Sequence, residues 1–502
     1  MKKRYLKICI ILISSIIIFL TGYYVNKYKI ASIAKSTLKE LINKNIDLPK
    51  DFANGVFSNP EKINLEFTEK NYGMLMNDRA IALNRGMLFS DHNVEVPVKI
   101  YYNNKKFKGK ASLKGDWPDH FADSKISFRI NIKGDEKMMG LDEFALQQPL
   151  TRSFILEWIC HKLEEKENLI HLRTKYVQVT VNDKNKGIYQ LEEYFDDTIF
   201  ENNHLPEGVI FKIKDTEHDL KIFSEKQIYS SLKRKNHLSS LYEKYDAFIE
   251  DKLTIDEVFD IEKIAKWYAI TDLVKGYHQL YNNNLHFYFN PDKQKIEPIG
   301  REWNDYFKEN KEISIEMVND SCMPNNPLNS WFHKKIFTNE VFIQEYYNAL
   351  SKLSSHHYLD EFFEEISAEM QQNLNILYKD YPLYTFKKYD LYRNQEAILK
   401  KLNPERPIKA FQTIAKDGTR QLHIRSLSIF PLMLKSIECN DEDIKIQEEI
   451  ILQPNRKNSK IEYKIIILPQ KANMEEANIN ITYVLLGAEQ FSKFNVLPPV
   501  IE

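Results

Sequence analysis

Hydrophobic and polar positions follow two different periods along the chain. From about Ile63 to Ile132, short segments alternate strictly, VPVKIYY at Val96 to Tyr102 and ISFRINI at Ile126 to Ile132. Asn-Asn-Lys-Lys and Lys-Gly-Asp separate such segments, the pattern of antiparallel strands joined by turns. Between Arg152 and Glu165 the period changes, and Phe154, Ile155, Trp158, Ile159 and Leu163 fall on one helical stripe. Tyr176 to Leu191 returns to strands around Asn182-Asp183-Lys184-Asn185. From Asp256 onward helices are expected, with Ile261, Ile264, Ala265 and Tyr268 on one face, Val341, Phe342, Tyr346 and Leu350 on another, and Phe362, Ile366, Met370, Leu374 and Leu377 on a third. Beyond Pro404 and Pro407 alternation resumes, through Ile461, Tyr463, Ile465 and Ile467, then Ile479, Ile481, Tyr483 and Leu485. The expected fold is α+β: a β-rich part with one inserted helix, a helical part, and a β-rich C-terminal domain over 407–502.

The N-terminus has a different pattern. Ile8 to Val25 contains no charged residue and follows Lys2, Lys3, Arg4 and Lys7. That run is long enough to cross a bilayer as a helix, and the cationic start favours a cytoplasmic N-terminus. No A-x-A-like site follows closely, and Tyr23 stands where a lipoprotein would need cysteine. The expectation is a retained signal anchor (1–30) with an extracytoplasmic body. An amphipathic stretch from Ala31 to about Ile42 opens a stalk (31–60), and the main domain follows over 61–400.

Composition narrows the chemistry mainly by exclusion. Seventy Lys+Arg against 71 Asp+Glu leave a net charge of −1, so no single-signed field suits nucleic acid, and none is expected as a partner. Only 14 glycines are present, and G-x-G-x-x-G, G-x-x-x-x-G-K-[ST], G-x-S-x-G and H-E-x-x-H are all missing. Cys9, Cys160, Cys322 and Cys439 form no C-x-x-C. The dense polar clusters are Lys114 to His120 with Lys125, the run YQLEEYFDD at Tyr189 to Asp197, and Tyr277 to Asp305, which holds His278, Glu302, Asn304 and Asp305.

These clusters belong to six words in order: KGDWPDHFADSKISFRI (114–130), RSFILEWICHKL (152–163), VTVNDKNKGIYQLEEYFDD (179–197), EGVIFK (207–212), NNLHFYFNPDKQKIEPI (283–299) and NPLNSWFHKKIF (326–337). In this order and spacing they resemble the spore coat protein H (CotH) kinase-like family. The resemblance implies a two-lobed atypical protein kinase that binds ATP and Mg between a β-rich and a helical lobe.

Phosphoryl transfer needs a cation on the phosphates, oxygen ligands for the metal and a group that orients the attacking hydroxyl. By the resemblance, Lys125 would contact phosphate, Glu157 would hold that lysine, and Asn284 with Glu302 would bind the metal. Taken alone, Lys125 reads as a snorkelling strand-edge lysine and Glu157 as a solvated helix residue. The sequence departs from the family at two places. Glu302 stands where a metal-binding aspartate is expected, and Gln279, which cannot accept a proton, stands at a candidate catalytic aspartate. His278 or Asp272 would have to replace it. The expected function is phosphate transfer to hydroxyls of surface or coat proteins. The alternative is a catalytically degenerate scaffold of the cell surface, favoured by the scarcity of ATP outside the cytoplasm. The aromatic content and β-rich tail also leave a carbohydrate-associated surface protein open.

Overall fold

The computed structural model describes residues 48–496 apart from 90–92, 135, 215–218, 304–311, 319–327, 329, 440–441, 445–449, 456–461, 469–478 and 489. The apolar run Ile8 to Val25, Asn304 and Asp305 therefore lie outside the described residues. Among the described residues no helix is long and apolar enough to cross a membrane. Helix α1 (Leu48–Phe57) falls inside the segment expected to be a stalk, and it packs against the later helix Ser367–Leu377.

Seven strands close into a barrel: β1 (Lys62–Glu66), β2 (Val96–Tyr102), β3 (Lys105–Leu113), β4 (Phe128–Ile132), β5 (Glu143–Gln147), β6 (Thr174–Val181) and β7 (Lys184–Glu193), in the order β1-β2-β3-β4-β5-β7-β6. Parallel pairing of β1 with β6 completes the circle. The alternation seen in the sequence places Val96, Val98, Ile100, Ile130, Val177 and Val179 inside the barrel, where they bury together.

Helix α2 (Glu69–Arg85), capped by Thr68 and ended by the left-handed Gly86, interrupts a span whose alternation predicts only strands. Its buried face is just Leu75, Asp78 and Ala82, too sparse for a 3.6-residue stripe to show. The inserted helix α3 covers Leu156–Lys166 and not Arg152 onward. Ser153 and Phe154 take left-handed φ of 50° and 57°, which ends one short turn before the helix begins. Phe154 thereby leaves the expected stripe and stacks on Tyr384 at 4.3 Å.

Strands β8 (Val209–Ile213), β9 (Leu220–Ile222), β10 (His286–Asn290) and β11 (Lys295–Ile299) form a second sheet, in the order β11-β10-β8-β9. Phe211, Phe287 and Phe289 join the helical core, while Ile210 and Tyr288 pack on Phe195 and Phe200. With both faces covered, HFYFN is buried throughout and shows no alternation. Helices α4 (Leu232–Ile249) and α5 (Ile261–Val274) pack against it, α6 (Glu340–Leu353) and α8 (Lys388–Leu402) pack on α5, α7 (Ser367–Leu377) packs on β6, and α5 is buried almost all round.

The C-terminal region stacks two sheets over its own core. β12 (Ile408–Ile414), β13 (Arg420–Ser426) and β17 (Lys464–Ile467) form one; β14 (Leu432–Cys439), β15 (Glu442–Ile444), β16 (Ile450–Leu452), β18 (Ile479–Leu485) and β19 (Ser492–Val496) form the other. Leu422, Ile424, Leu434, Ile437, Ile479 and Ile481 fill the space between them. Phe430 joins this region to the helices, edge-on to Tyr347 of α6 at 5.2 Å.

Candidate functional site

A buried chain of charges joins the barrel, α3 and the segment after β11. Glu192, near the end of β7, accepts from Gln147 Nε2 of β5 at 2.5 Å, Arg152 Nε at 2.9 Å and Arg301 Nε at 2.6 Å. Arg152 also reaches forward, its second terminal nitrogen donating to Glu302 Oε1 at 3.0 Å. One guanidinium thus ties two carboxylates that are 110 residues apart in sequence, a fork geometry that lysine cannot reproduce.

Glu157, fully buried on α3, accepts the backbone N–H of Glu302 at 2.7 Å and of Trp303 at 2.9 Å. These bonds hold Glu302 at a left-handed φ of 61°, which a non-glycine residue adopts at a cost in strain. Gly300, two residues earlier, passes so close to Glu164 that a Cβ there would lie 1.9 Å from Oε1.

The electrostatics follow from this packing. Burial pushes the Glu302 carboxyl upward, but Arg152, Arg301 and Lys114 outweigh it and hold the group well below the usual carboxylate range. Glu192 is held low in the same way by Arg301 and Arg152. Glu157 is pushed up, chiefly by burial. Lys114, just after β3, is depressed first by burial and then by Arg301 and Arg129. Its ammonium has no hydrogen-bond partner among the described residues.

Lys212 and Lys221 add further positive charge. They stand directly opposite each other on β8 and β9, an arrangement of like charges that costs stability. Burial lowers both, helped at Lys212 by Lys221 and Arg301 and at Lys221 by Arg129 and Lys214. The arginines Arg129, Arg152 and Arg301 are paired with Glu143, Glu192 and Glu302, whereas Lys114, Lys212 and Lys221 form no ion pair among the described residues, and those three lysines suit an anionic ligand.

The expected site residues are only partly brought together. Asn284 donates to the carbonyl of His278 at 3.1 Å and lies 3.4 Å from its Nε2, while His278 Nδ1 lies 3.4 Å from Glu302 Oε2. Asn284, His278 and Glu302 therefore form one line, and Glu302 adjoins Glu157 through its backbone.

Lys125 is elsewhere. Its ammonium donates to the Ile188 carbonyl at 2.9 Å, Asp380 Oδ2 at 2.7 Å and Tyr381 Oη at 3.2 Å, fastening the barrel to the segment between α7 and α8. It does not contact Glu157, whose oxygens are taken by the two backbone amides.

Asp272 is also outside the cluster. Its Oδ1 accepts from Tyr277 Oη and from the N–H and Oγ of Ser314, each at 2.8 Å, and Tyr346 donates to Oδ2. Gln279 faces the core, accepting from Trp267 Nε1 at 2.6 Å and donating to Thr271 Oγ1 at 3.0 Å. Both an acceptor and a donor are needed at that position, so its amide is a packing choice. His278 is held neutral near pH 7 mainly by burial, which leaves it able to accept a proton.

Arg152, Arg301 and Glu192 carry the site, yet the sequence reading gives them no role. A signal existed: Arg301 follows the apolar strand β11, and Arg152 precedes an apolar helix, so each had to be buried with a partner.

For a divalent metal, the described residues offer Glu302 Oε2, with Asn284 next in line beyond His278. A carboxylate oxygen completed by water and phosphate fits Mg²⁺, which rarely takes a full protein cage. No cluster of three or more His, Cys, Asp or Glu suited to a metal occurs among the described residues.

This arrangement, a barrel and a sheet converging on buried arginines and a constrained acidic residue, coincides with a family model described as CotH kinase protein, which matches residues 111–403. More than half of the chain lies within that match, and the chain belongs to the CotH kinase family. No curated protein matches it.

Proposed function

We propose that the protein is a membrane-anchored atypical kinase that binds ATP with Mg²⁺ between a β-rich and a helical lobe and phosphorylates hydroxyls of surface or coat proteins. Membership of the CotH kinase family supports this reading. The observation that carries it is Lys114, an ammonium without a partner among the described residues, in the field of Arg129 and Arg301 and beside Glu302. A polyphosphate would give that lysine its counter-charge.

In this reading Lys114 and Lys212 contact the phosphates, and Arg152 with Arg301 fixes Glu302. Glu302 and Asn284 hold the metal, which when bound would offset charge on the phosphate oxygens. The acceptor oxygen bonds to the γ-phosphorus as the bond to the β-bridging oxygen breaks, and the hydroxyl proton passes to His278. Ile8 to Val25 would anchor the chain, with the body extracytoplasmic.

A second reading, a nucleotide-binding scaffold without transfer, is favoured by one observation: Asp272 is consumed in packing and Gln279 carries no carboxylate, so neither serves as a base.

The test is transfer of label from γ-labelled ATP to a Ser/Thr/Tyr peptide library, alongside calorimetric ATP binding with and without Mg²⁺. Glu302→Gln removes a charge and keeps the size, so Mg²⁺-dependent ATP affinity should fall about tenfold, as for a loss of ~1.4 kcal/mol. Binding without transfer would establish the scaffold. A folded protein that binds no nucleotide would overturn both readings.

A further inference from the structure

A cavity lies far along the chain from the charged cluster. Its volume is about 600 Å³, within the range of small-ligand sites, and it opens between α6, the connection from α8 to β12, and the β18–β19 hairpin. Tyr347 and Asn348 on α6, Asn403 after α8, Tyr483 on β18, Gln490 in the hairpin and Ser492 on β19 supply its polar lining.

None of its 13 lining residues is charged, where the chain's 28% of charged residues would place roughly four. Among the described lining residues an anion, cation or nucleotide would find no counter-charge. Amides and hydroxyls each both donate and accept, and so match ligand hydroxyls, which do the same.

The walls are built, not incidental. Tyr347 is buried and held edge-on by Phe430. Tyr483 is buried and stands opposite Ser492 in the β18–β19 pairing. Gly487, at φ 99°, brings the hairpin against α6, and a Cβ there would lie 2.8 Å from Tyr347 Cβ. The two tyrosines offer aromatic surface to the C–H face of a sugar ring. Asn348 and Gln490 are exposed, and their side chains make no hydrogen bond among the described residues.

We propose that this cavity binds a neutral saccharide, independently of any nucleotide site, and so gives the body a hold on a glycan-bearing surface. Proline-rich peptide is the competing occupant, since Pro404 and Pro407 also line the cavity, but such a peptide gives the convergent amides fewer hydroxyl partners.

The test is saturation-transfer-difference NMR on the full chain, in a detergent without a sugar headgroup, using cellobiose, maltose and chitobiose as probes. Transfer to ring protons of at least one is expected. Asn348→Ala, at an exposed position that leaves folding intact, should weaken it about tenfold, as for a lost hydrogen bond. Tyr483→Ala should abolish it, and Glu302→Gln should leave it unchanged. No transfer from any of the three, transfer undiminished by Asn348→Ala, or binding of a polyproline peptide in place of the sugars would overturn the proposal.

Discussion

Arg152→Met should lower the unfolding temperature by on the order of 10 °C, from a loss of about 3–5 kcal/mol. The substitution keeps most of the volume and removes the charge, so the cost is electrostatic. Glu192 would retain Arg301 and Gln147, but Glu302 would lose its 3.0 Å partner while still buried close to Glu157 and Glu192. Two carboxylates would then share one guanidinium in a site of low dielectric, where an uncompensated charge is costly. Arg152→Lys should recover only part of the loss, because an ammonium cannot bridge Glu192 and Glu302 together. Thermal or urea unfolding checks this, and a methionine variant within about 1 kcal/mol of the parent would remove the network from the account of stability.

Acid should unfold the protein steeply below about pH 4.5 after a nearly level stretch from pH 7, because two sets of groups oppose each other above that value. Burial lowers His120 and His286 to about 3 and His333 to about 4. As pH falls below about 6.5 the unfolded chain takes up protons these histidines refuse when folded, which destabilises the fold. Burial also raises Asp196 to about 7, and raises Glu157 and Glu164. These take up protons in the folded state first, which stabilises the fold over the same interval.

As pH falls through about 4.5 the unfolded chain begins to protonate the same carboxyls, and their stabilising contribution levels off. His120 and His286 still resist protonation. So do Glu192 and Glu302, which their arginines hold low against the push of burial. Four such groups give a slope of up to about 5 kcal/mol per pH unit. Urea melts between pH 3 and 7 should show the plateau and the break, whereas a steady decline from neutrality would contradict this balance.

Regular alternation made the barrel strands legible, because β2 and β4 each bury one face and the period of two appears directly in VPVKIYY and FRINI. Helix α2 was not legible, since Asp78, one of its three buried residues, is a polar group that accepts from the Val94 N–H. The left-handed pair Ser153 and Phe154 was equally hidden, because neither residue type announces φ above zero.

For the site, the sequence words located Glu157, His278, Asn284 and Glu302, and the fold brings these four into one connected line. It did not reveal which partner each side chain takes. Lys125 is adjacent in sequence to an apolar strand, but its long side chain reaches Asp380, 255 residues away, a contact that no local pattern encodes. Gln279 looked like a lost catalytic residue because its role, bonding Trp267 and Thr271, depends on the turn of chain between α5 and β10.

In the proposed reading Lys114, and not Lys125, contacts phosphate. Calorimetric titration of Mg²⁺-ATP into Lys114→Met and Lys125→Met, beside the parent chain, tests it most directly. Lys114→Met should weaken binding about tenfold or more, as for loss of a charge-assisted hydrogen bond, because it removes the ammonium that the phosphates would neutralise. Lys125→Met should leave affinity within about threefold of the parent while lowering thermal stability, because it breaks the tie to Asp380 and the Ile188 carbonyl. The reverse pattern, with affinity lost at Lys125 and kept at Lys114, would contradict the account.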